Sequence, residues 1–426
     1  MEKNRTKNSE FIQNIIGDRN LIKNMIGHDK KNGESKEKIK ITVCYFGTYR
    51  SEYPRNRIMI KGLRKNNVDV IECHENLWTG IDDRVNAVEQ GFINPKLWKR
   101  MFEAYFRLFK KFHNLPDFDV LVVGYPGQLD VYFAKLLTIF KKKPIIWDVF
   151  MSIYLISIER NLHQKNPTSV KLLKIIEHLA LRLPEKLIID TKQYADWFYR
   201  NYKIPIEKFC LIPTGADDDV FYPDQYVEYQ PKEKFIVLYY GTYIPNHGVP
   251  YIIDAAKYLD NDPTIIFQFI GEGPEFDICQ KLIKKYNLQN VELYSWMEQE
   301  ELKKYIREAD VLLGAFGKTP QSLMTIQNKI YEGLAMGKVV ITGDSEVIRD
   351  QFSNFKEIIV CNRDKPECLS NLVKELFDDP DTIESISRNA SKIYRSEFSI
   401  SANGLRFEQC LKKVSNKVES KICNYY

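Results

Sequence analysis

The chain has 426 residues, of which 44% are apolar and 28% charged, proportions that exclude global disorder and a fibrous architecture and leave room for two to three domains. Its 62 Lys and Arg against 57 Asp and Glu give a net charge of +5, too mild for a nucleic-acid footprint. The eight cysteines, Cys44, Cys73, Cys210, Cys279, Cys361, Cys368, Cys410 and Cys423, show neither C-x-x-C pairs nor zinc-ligand spacing and read as reduced thiols of a cytosolic protein.

Residues 1–37 read as a polar arm outside the core, without the apolar centre of a signal peptide. No apolar run in the chain approaches the ~18 residues of a membrane span. From 38 to 224 a first α/β domain is expected. A β-branched run from Ile39 to Tyr45 stops at the turn Gly47-Thr48-Tyr49-Arg50, and helical spacing follows from Arg57 to Leu63. The same alternation recurs around Val68 to Cys73, Val120 to Val123, Ile145 to Trp147 and Leu187 to Ile189. Short apolar strands separated by helices imply a parallel sheet covered on both faces.

Within that half, Lys96 to Phe112 forms a basic helix with apolar residues at Trp98, Met101, Phe102, Tyr105, Phe109 and Phe112 and cations between them. It suits either a core-facing helix with a solvated charged face or docking on an anionic membrane surface.

A linker is expected from Tyr222 to Lys232, and a second doubly wound domain over 225–395. Its strands are Phe235 to Tyr240, Ile265 to Ile270, Val291 to Leu293, Val311 to Leu313 and Val339 to Thr342. The first of these strands runs into Gly241-Thr242-Tyr243-Ile244-Pro245-Asn246-His247-Gly248, the second into Gly271-Glu272-Gly273-Pro274. Such turns bring backbone amides and a helix amino terminus close to an anion, although neither matches G-x-G-x-x-G or a P-loop. Further on, Gln327-Asn328-Lys329-Ile330-Tyr331-Glu332 opens an amphipathic helix that ends at Gly337, and a carboxylate at Glu332 can accept two hydroxyl hydrogen bonds, as from a ribose diol. A surface glutamate on a helix is the plainer alternative.

These motifs, in this order and spacing, resemble the GT-B-fold glycosyltransferases, and among them the large retaining family 4, group 1. The resemblance covers most of 39–420 and implies two Rossmann-like domains facing across a cleft, the first holding the acceptor and the second the nucleotide-sugar, with a terminal helix at 396–426 crossing back to the first. It implies transfer of a sugar to a glycan or lipid-linked hydroxyl in polysaccharide biosynthesis, without a metal. Gly47, Gly241, Thr242, Gly248, Gly271, Gly273, Asn328 and Glu332 fall on the nucleotide-sugar motifs. Glu332 matches the second Glu of the family's E-x7-E element, whereas the first is replaced by Met324. The turn's usual Arg and Lys are replaced by Thr242 and His247. His247, if protonated, can donate to the diphosphate, and Lys329 is the fixed positive charge left for it.

Asp148, at the end of a strand, is the candidate for orienting the acceptor hydroxyl or the donor sugar, with a helix cap as the alternative. Asp190-Thr191 resembles a strand end in the cleft and also suits a helix cap. Asp217-Asp218-Asp219 invites a metal reading but matches the family's G-x-D element before the linker. Two other functions fit the resemblance: a nucleotide-sugar epimerase or hydrolase of the same fold, and a non-catalytic binding protein descended from it.

Overall fold

Two six-stranded parallel sheets organise the computed structural model, which describes residues 41–77, 83, 95–223 and 229–423, with side chains to 415. The expected arm at 1–37 and the middle of the expected linker, 224–228, lie outside the described residues.

The first sheet contains β1 (Thr42–Gly47), β2 (Asp69–His74), β3 (Val120–Val123), β4 (Ile145–Asp148), β5 (Lys186–Ile189) and β6 (Phe209–Leu211), in the order β2-β1-β3-β4-β5-β6. The second contains β7 (Phe235–Tyr240), β8 (Ile265–Ile270), β9 (Val291–Tyr294), β10 (Val311–Leu313), β11 (Val339–Gly343) and β12 (Ile359–Cys361), in the order β12-β11-β10-β7-β8-β9. The strands lack polar alternation because helices cover both faces. Phe46, Val123 and Trp147 pack on one side of the first sheet and Tyr45, Val122 and Ile146 on the other. The expected α/β class with two doubly wound sheets is observed.

Strand order reverses between β1 and β3 in the first sheet and between β7 and β10 in the second. In open parallel sheets the crevice outside the carboxyl ends at such a switch point is where ligands bind. The residues there are glycines: Gly47 at the end of β1, Gly124 after β3, Gly241 after β7 and Gly314 after β10.

The terminal helix Ile400–Cys423 lies on the first sheet, with Phe407, Leu411 and Val414 in one apolar cluster with Val43, Tyr45 and Leu63. It crosses helix Pro54–Lys65 glycine against glycine, so close that a β-carbon on Gly404 would stand 2.0 Å from the Gly62 carbonyl oxygen. That crossing brings Cys410 to Cys210 on β6, and the two form a disulfide across 200 residues of sequence. The expectation of eight reduced thiols is therefore corrected for this pair, which scattered positions in the sequence could not reveal; Cys44, Cys73, Cys279, Cys361 and Cys368 are free.

Helix Pro95–His113 divides its apolar residues between two faces. Its buried stripe is Leu97, Met101, Ala104, Leu108 and Phe112. Trp98, Phe102, Phe106 and Phe109 face outward instead, Phe102 with 73% of its surface exposed.

Asp217, Asp218 and Asp219 point to different partners. Asp217 pairs with Arg57 and Lys61, Asp219 with Lys61 and Lys65, and Asp218 accepts from the Tyr394 hydroxyl and the Ile400 amide. Asp217 and Asp219 thus fasten the junction to helix Pro54–Lys65, and Asp218 fastens it to the start of the terminal helix. Among the described residues no three His, Cys, Asp or Glu side chains are grouped to hold a metal ion, and no helix is long and apolar enough to cross a membrane.

Candidate active site

On the carboxyl-terminal side, the turn after β7 is folded by contacts that leave no room for side chains. Gly241 has φ +133°, and the neighbouring turn after β8 presses so close that a β-carbon on Gly271 would meet the Gly241 carbonyl oxygen at 2.2 Å. Gly273 backs onto the Tyr243 amide, and Gly248 caps helix Val249–Ala256 against Phe316 and Gly317. Gly241, Thr242, Gly248, Gly271 and Gly273 are thus brought together as one continuous rim at the switch point.

Lys329 and Glu332 approach this rim from helix Asn328–Ala335, both buried. The Lys329 ammonium lies 4.0 Å over the Tyr239 ring centroid, and a β-carbon on Gly241 would be 2.9 Å from it. It has no hydrogen-bond partner among the described residues. Burial lowers its pKa to about 7, with Glu332 opposing the shift. Glu332 accepts from the Tyr240 hydroxyl at 2.9 Å through Oε2, and burial raises its pKa to about 7 against the pull of Tyr240 and Lys329. Asn328, half-buried, opens the same helix and carries its first exposed amides.

His247 closes the turn. Its Nδ1 lies 2.6 Å from the Thr242 carbonyl and 3.0 Å from the Tyr239 hydroxyl. A carbonyl partner makes Nδ1 the protonated nitrogen and leaves Nε2 as an acceptor. Burial and the Lys329 charge hold its pKa well below the usual value. The condition of a protonated His247 is therefore not met in the free protein, because a second cation would have to share a desolvated site with Lys329.

On the amino-terminal side, Gly47 has φ +137°, and a β-carbon there would meet the Asp130 carboxylate at 2.7 Å. Asp130 accepts from the Thr48 amide at 2.8 Å and the Tyr105 hydroxyl at 2.7 Å, and so fixes the turn after β1. A cavity of about 370 Å³ opens beside it. Its wall includes Thr48, Tyr105 and Asp130, helices Ile153–Glu159 and Pro167–Ala180, and, across the cleft, Ile244, His247, Gln321 and Gln327. His247 therefore stands between the glycine rim and the cavity. Glu159 spans the two halves, accepting from the Gln321 amide at 2.8 Å and the Asn246 side chain at 3.1 Å.

Asp148 does not reach the cavity. It is fully buried, and both its oxygens are taken by Arg55, at 2.9 Å and 3.1 Å, while Arg55 also donates to the Ile212 carbonyl. Its expected contact with a sugar or acceptor hydroxyl is corrected to a buried ion pair; neither does it act as a cap, since Ser152 caps the next helix. Asp190 likewise leaves the cap to Thr191 and remains buried without a hydrogen-bond partner, its pKa pushed up to about 7 by desolvation despite Arg55 nearby. Sequence reasoning missed Arg55, Asp130, Glu159 and Tyr240. Only Tyr240 carried a signal, as the residue entering the glycine turn.

Residues 225–393 match the family model described as Glycosyl transferases group 1. Among curated proteins, the chain is 23% identical over 219 residues to an uncharacterized glycosyltransferase of Methanocaldococcus jannaschii, covering 50% of this chain and 56% of that protein. It is 29% identical over 100 residues to an uncharacterized 41.2 kDa protein in the cps region of Klebsiella pneumoniae, covering 24% of this chain and 26% of that one. The matches thus span about half of the first relative's length and a quarter of the second's. Anabaena HepE, crystallised with UDP, superposes with a TM-score of 0.61 at 13% identity over 88% of this chain and 100% of its own. Sucrose-phosphate synthase from Thermosynechococcus elongatus gives 0.63 at 15% identity over 88% and 99%. At these identities the likeness is one of fold, and the fold is GT-B.

Proposed function

We infer that this GT-B-fold chain, matched over 225–393 by the group 1 glycosyl transferases, moves a sugar from a nucleotide-sugar to a hydroxyl acceptor. The observation that carries the reading is the juxtaposition of Lys329 and Glu332 at the glycine rim. An unpartnered buried cation faces the turn suited to a diphosphate, and one helical turn on stands a carboxylate with one oxygen anchored by Tyr240 and the other available to a ribose diol. The UDP bound by HepE supports a uridine diphosphate sugar as the donor.

In this reaction the bond from the anomeric carbon to the phosphate oxygen breaks, the acceptor oxygen bonds to that carbon, and its proton passes to the leaving phosphate. Lys329 and the amides of the rim stabilise the negative charge that develops on the diphosphate, within a site largely shielded from water. The neutral His247 offers Nε2 to a sugar or acceptor hydroxyl. Both carboxylates lining the cavity, Asp130 and Glu159, are committed to protein donors. Proton transfer to the leaving phosphate on the face it departs from is therefore favoured, which supports retention of configuration.

The acceptor is a glycan or lipid-linked hydroxyl presented to the amino half at the cytoplasmic face of an anionic membrane. The outward aromatics of helix Pro95–His113, with Lys99 and Lys110 among them, support that contact.

The test is release of the nucleotide from a panel of nucleotide-sugars, UDP-sugars first, with and without added glycan or lipid acceptors. Release that needs an acceptor supports transfer. Equal release without one points to hydrolysis, and no release from any nucleotide-sugar contradicts the reading.

A further inference from the structure

We propose that the cavity of the amino half is a hydrocarbon site that takes the aliphatic chain of an amphipathic acceptor, with the acceptor's hydroxyl end at the His247 turn. The proposal rests on the glycosyl-transfer reading and specifies its acceptor class.

The cavity, about 370 Å³, lies in the size range of small-molecule sites, roughly 300–1,000 Å³. Its helical wall is mainly apolar, with Ser157 and Glu159 as polar exceptions, and its opposite wall is mainly polar, with Ile244 as an apolar one. Helices Ile153–Glu159 and Pro167–Ala180 contribute Ile153, Ile156, Leu173 and Ile176, and helix Pro95–His113 contributes Met101. The turn after β1 and the carboxyl half contribute polar groups: Thr48, His247 and Gln321. Gln321 is 5% exposed, its Oε1 accepts from Asn246, and its Nε2 has no partner, a donor left for a hydroxyl inside the cavity. A wholly polar glycan would leave the helical wall unused, whereas a molecule with a hydroxylated head and an apolar chain matches both parts.

The cavity also reaches the surface. Trp98 and Leu172 line it, yet they are 55% and 49% exposed, so its mouth lies between helices Pro95–His113 and Pro167–Ala180. The same two helices expose Phe102 and Ile175. A chain leaving the mouth therefore meets further apolar surface instead of water, as the tail of a lipid in a bilayer requires.

The experiment titrates the full chain with n-octyl, n-decyl and n-dodecyl β-glucosides below their micelle concentrations, displacing 11-(dansylamino)undecanoic acid. Each buried methylene is worth about fourfold in affinity, so decyl should bind roughly 16-fold more tightly than octyl. Leu172→Asp puts a charge at the exposed mouth, and Ile176→Trp fills the cavity. Both should weaken the glucosides at least about tenfold while UDP binding is unchanged. Should Ile176→Trp fail to fold, Leu172→Asp, at an exposed position, still decides the matter.

A second arm separates the cavity from the membrane-facing surface: Phe102→Ser/Phe106→Ser should keep submicellar glucoside binding and lose vesicle binding. Absence of saturable displacement, equal affinity along the alkyl series, or wild-type affinity in Leu172→Asp overturns the proposal. Failure of the glycosyl-transfer reading looks different, as loss of UDP binding and turnover with the alkyl series intact.

Discussion

The Lys329 ammonium rests against Gly241, 2.9 Å from where a β-carbon on that glycine would sit, and no acceptor among the described residues satisfies it. A buried cation without a partner lowers stability, and its use becomes clear only when an anion enters the turn. Lys329→Met keeps the apolar stem and removes the charge. We expect it to raise the unfolding free energy by about 1–3 kcal/mol in urea denaturation while lowering kcat by about 10²–10³. A variant that is both less stable and fully active would contradict this role.

The two charged groups of this helix give stability a distinctive pH profile. Glu332 titrates at about 7 in the folded protein against 4.5 ordinarily, so between these values the folded state holds a proton that the unfolded state has released, and stability falls as pH rises. Lys329 titrates at about 7 against 10.5, so above 7 the unfolded state holds the extra proton, and stability rises with pH. The local contribution is therefore least favourable near pH 7. Urea midpoints across the range should show Glu332→Gln removing the falling limb and Lys329→Met the rising one; a variant profile parallel to wild type in either limb counts against the assignment.

Arg55 and Asp148 behave as a structural pair. Removing either leaves an uncompensated buried charge, and Arg55→Met strands Asp190 as well, so each single change should cost about 3–5 kcal/mol. A double change to apolar residues of similar volume should recover much of that loss. Loss of kcat in Asp148→Asn with unaltered stability would restore Asp148 to a catalytic role.

Phe102 and Phe106 stack with ring centroids 6.3 Å apart on the outer face of their helix, with Lys110 over the Phe106 ring. Phe102→Ser/Phe106→Ser should abolish flotation with anionic vesicles and leave the melting temperature within a few degrees. This is a cleaner change than reversing Lys111, which is tied to Glu75 and the His74 carbonyl.

The strand runs that end in glycine turns were legible because strands covered on both faces are continuously apolar and end abruptly at the switch points. β6 and β12 were not, since neither of these three-residue strands ends in a glycine turn: β6 runs into Ile212-Pro213 and β12 into Asn362-Arg363. Lys329 and Glu332 could be read from their spacing on one helix, one turn apart. The Arg55–Asp148 pair and the Cys210–Cys410 bond join positions 93 and 200 residues apart, contacts that only the completed topology creates. The buried face of helix Pro95–His113 was not legible because aromatics populate both faces, and periodicity alone cannot say which face meets the sheet. The charge of His247 was not legible because its neighbour Lys329 lies 82 positions away in sequence and next to it in space.

The measurement that tests the central claim most directly is calorimetric titration of UDP into the wild type, Glu332→Ala and Lys329→Met. A carboxylate-to-diol contact and a cation at the diphosphate are each worth about 1.5–3 kcal/mol, so each variant should bind UDP roughly 10- to 150-fold more weakly, with the folded state intact by circular dichroism. Wild-type affinity in both variants would mean that the nucleotide, if bound, lies away from the Gly241 rim, and the account of this site would fail.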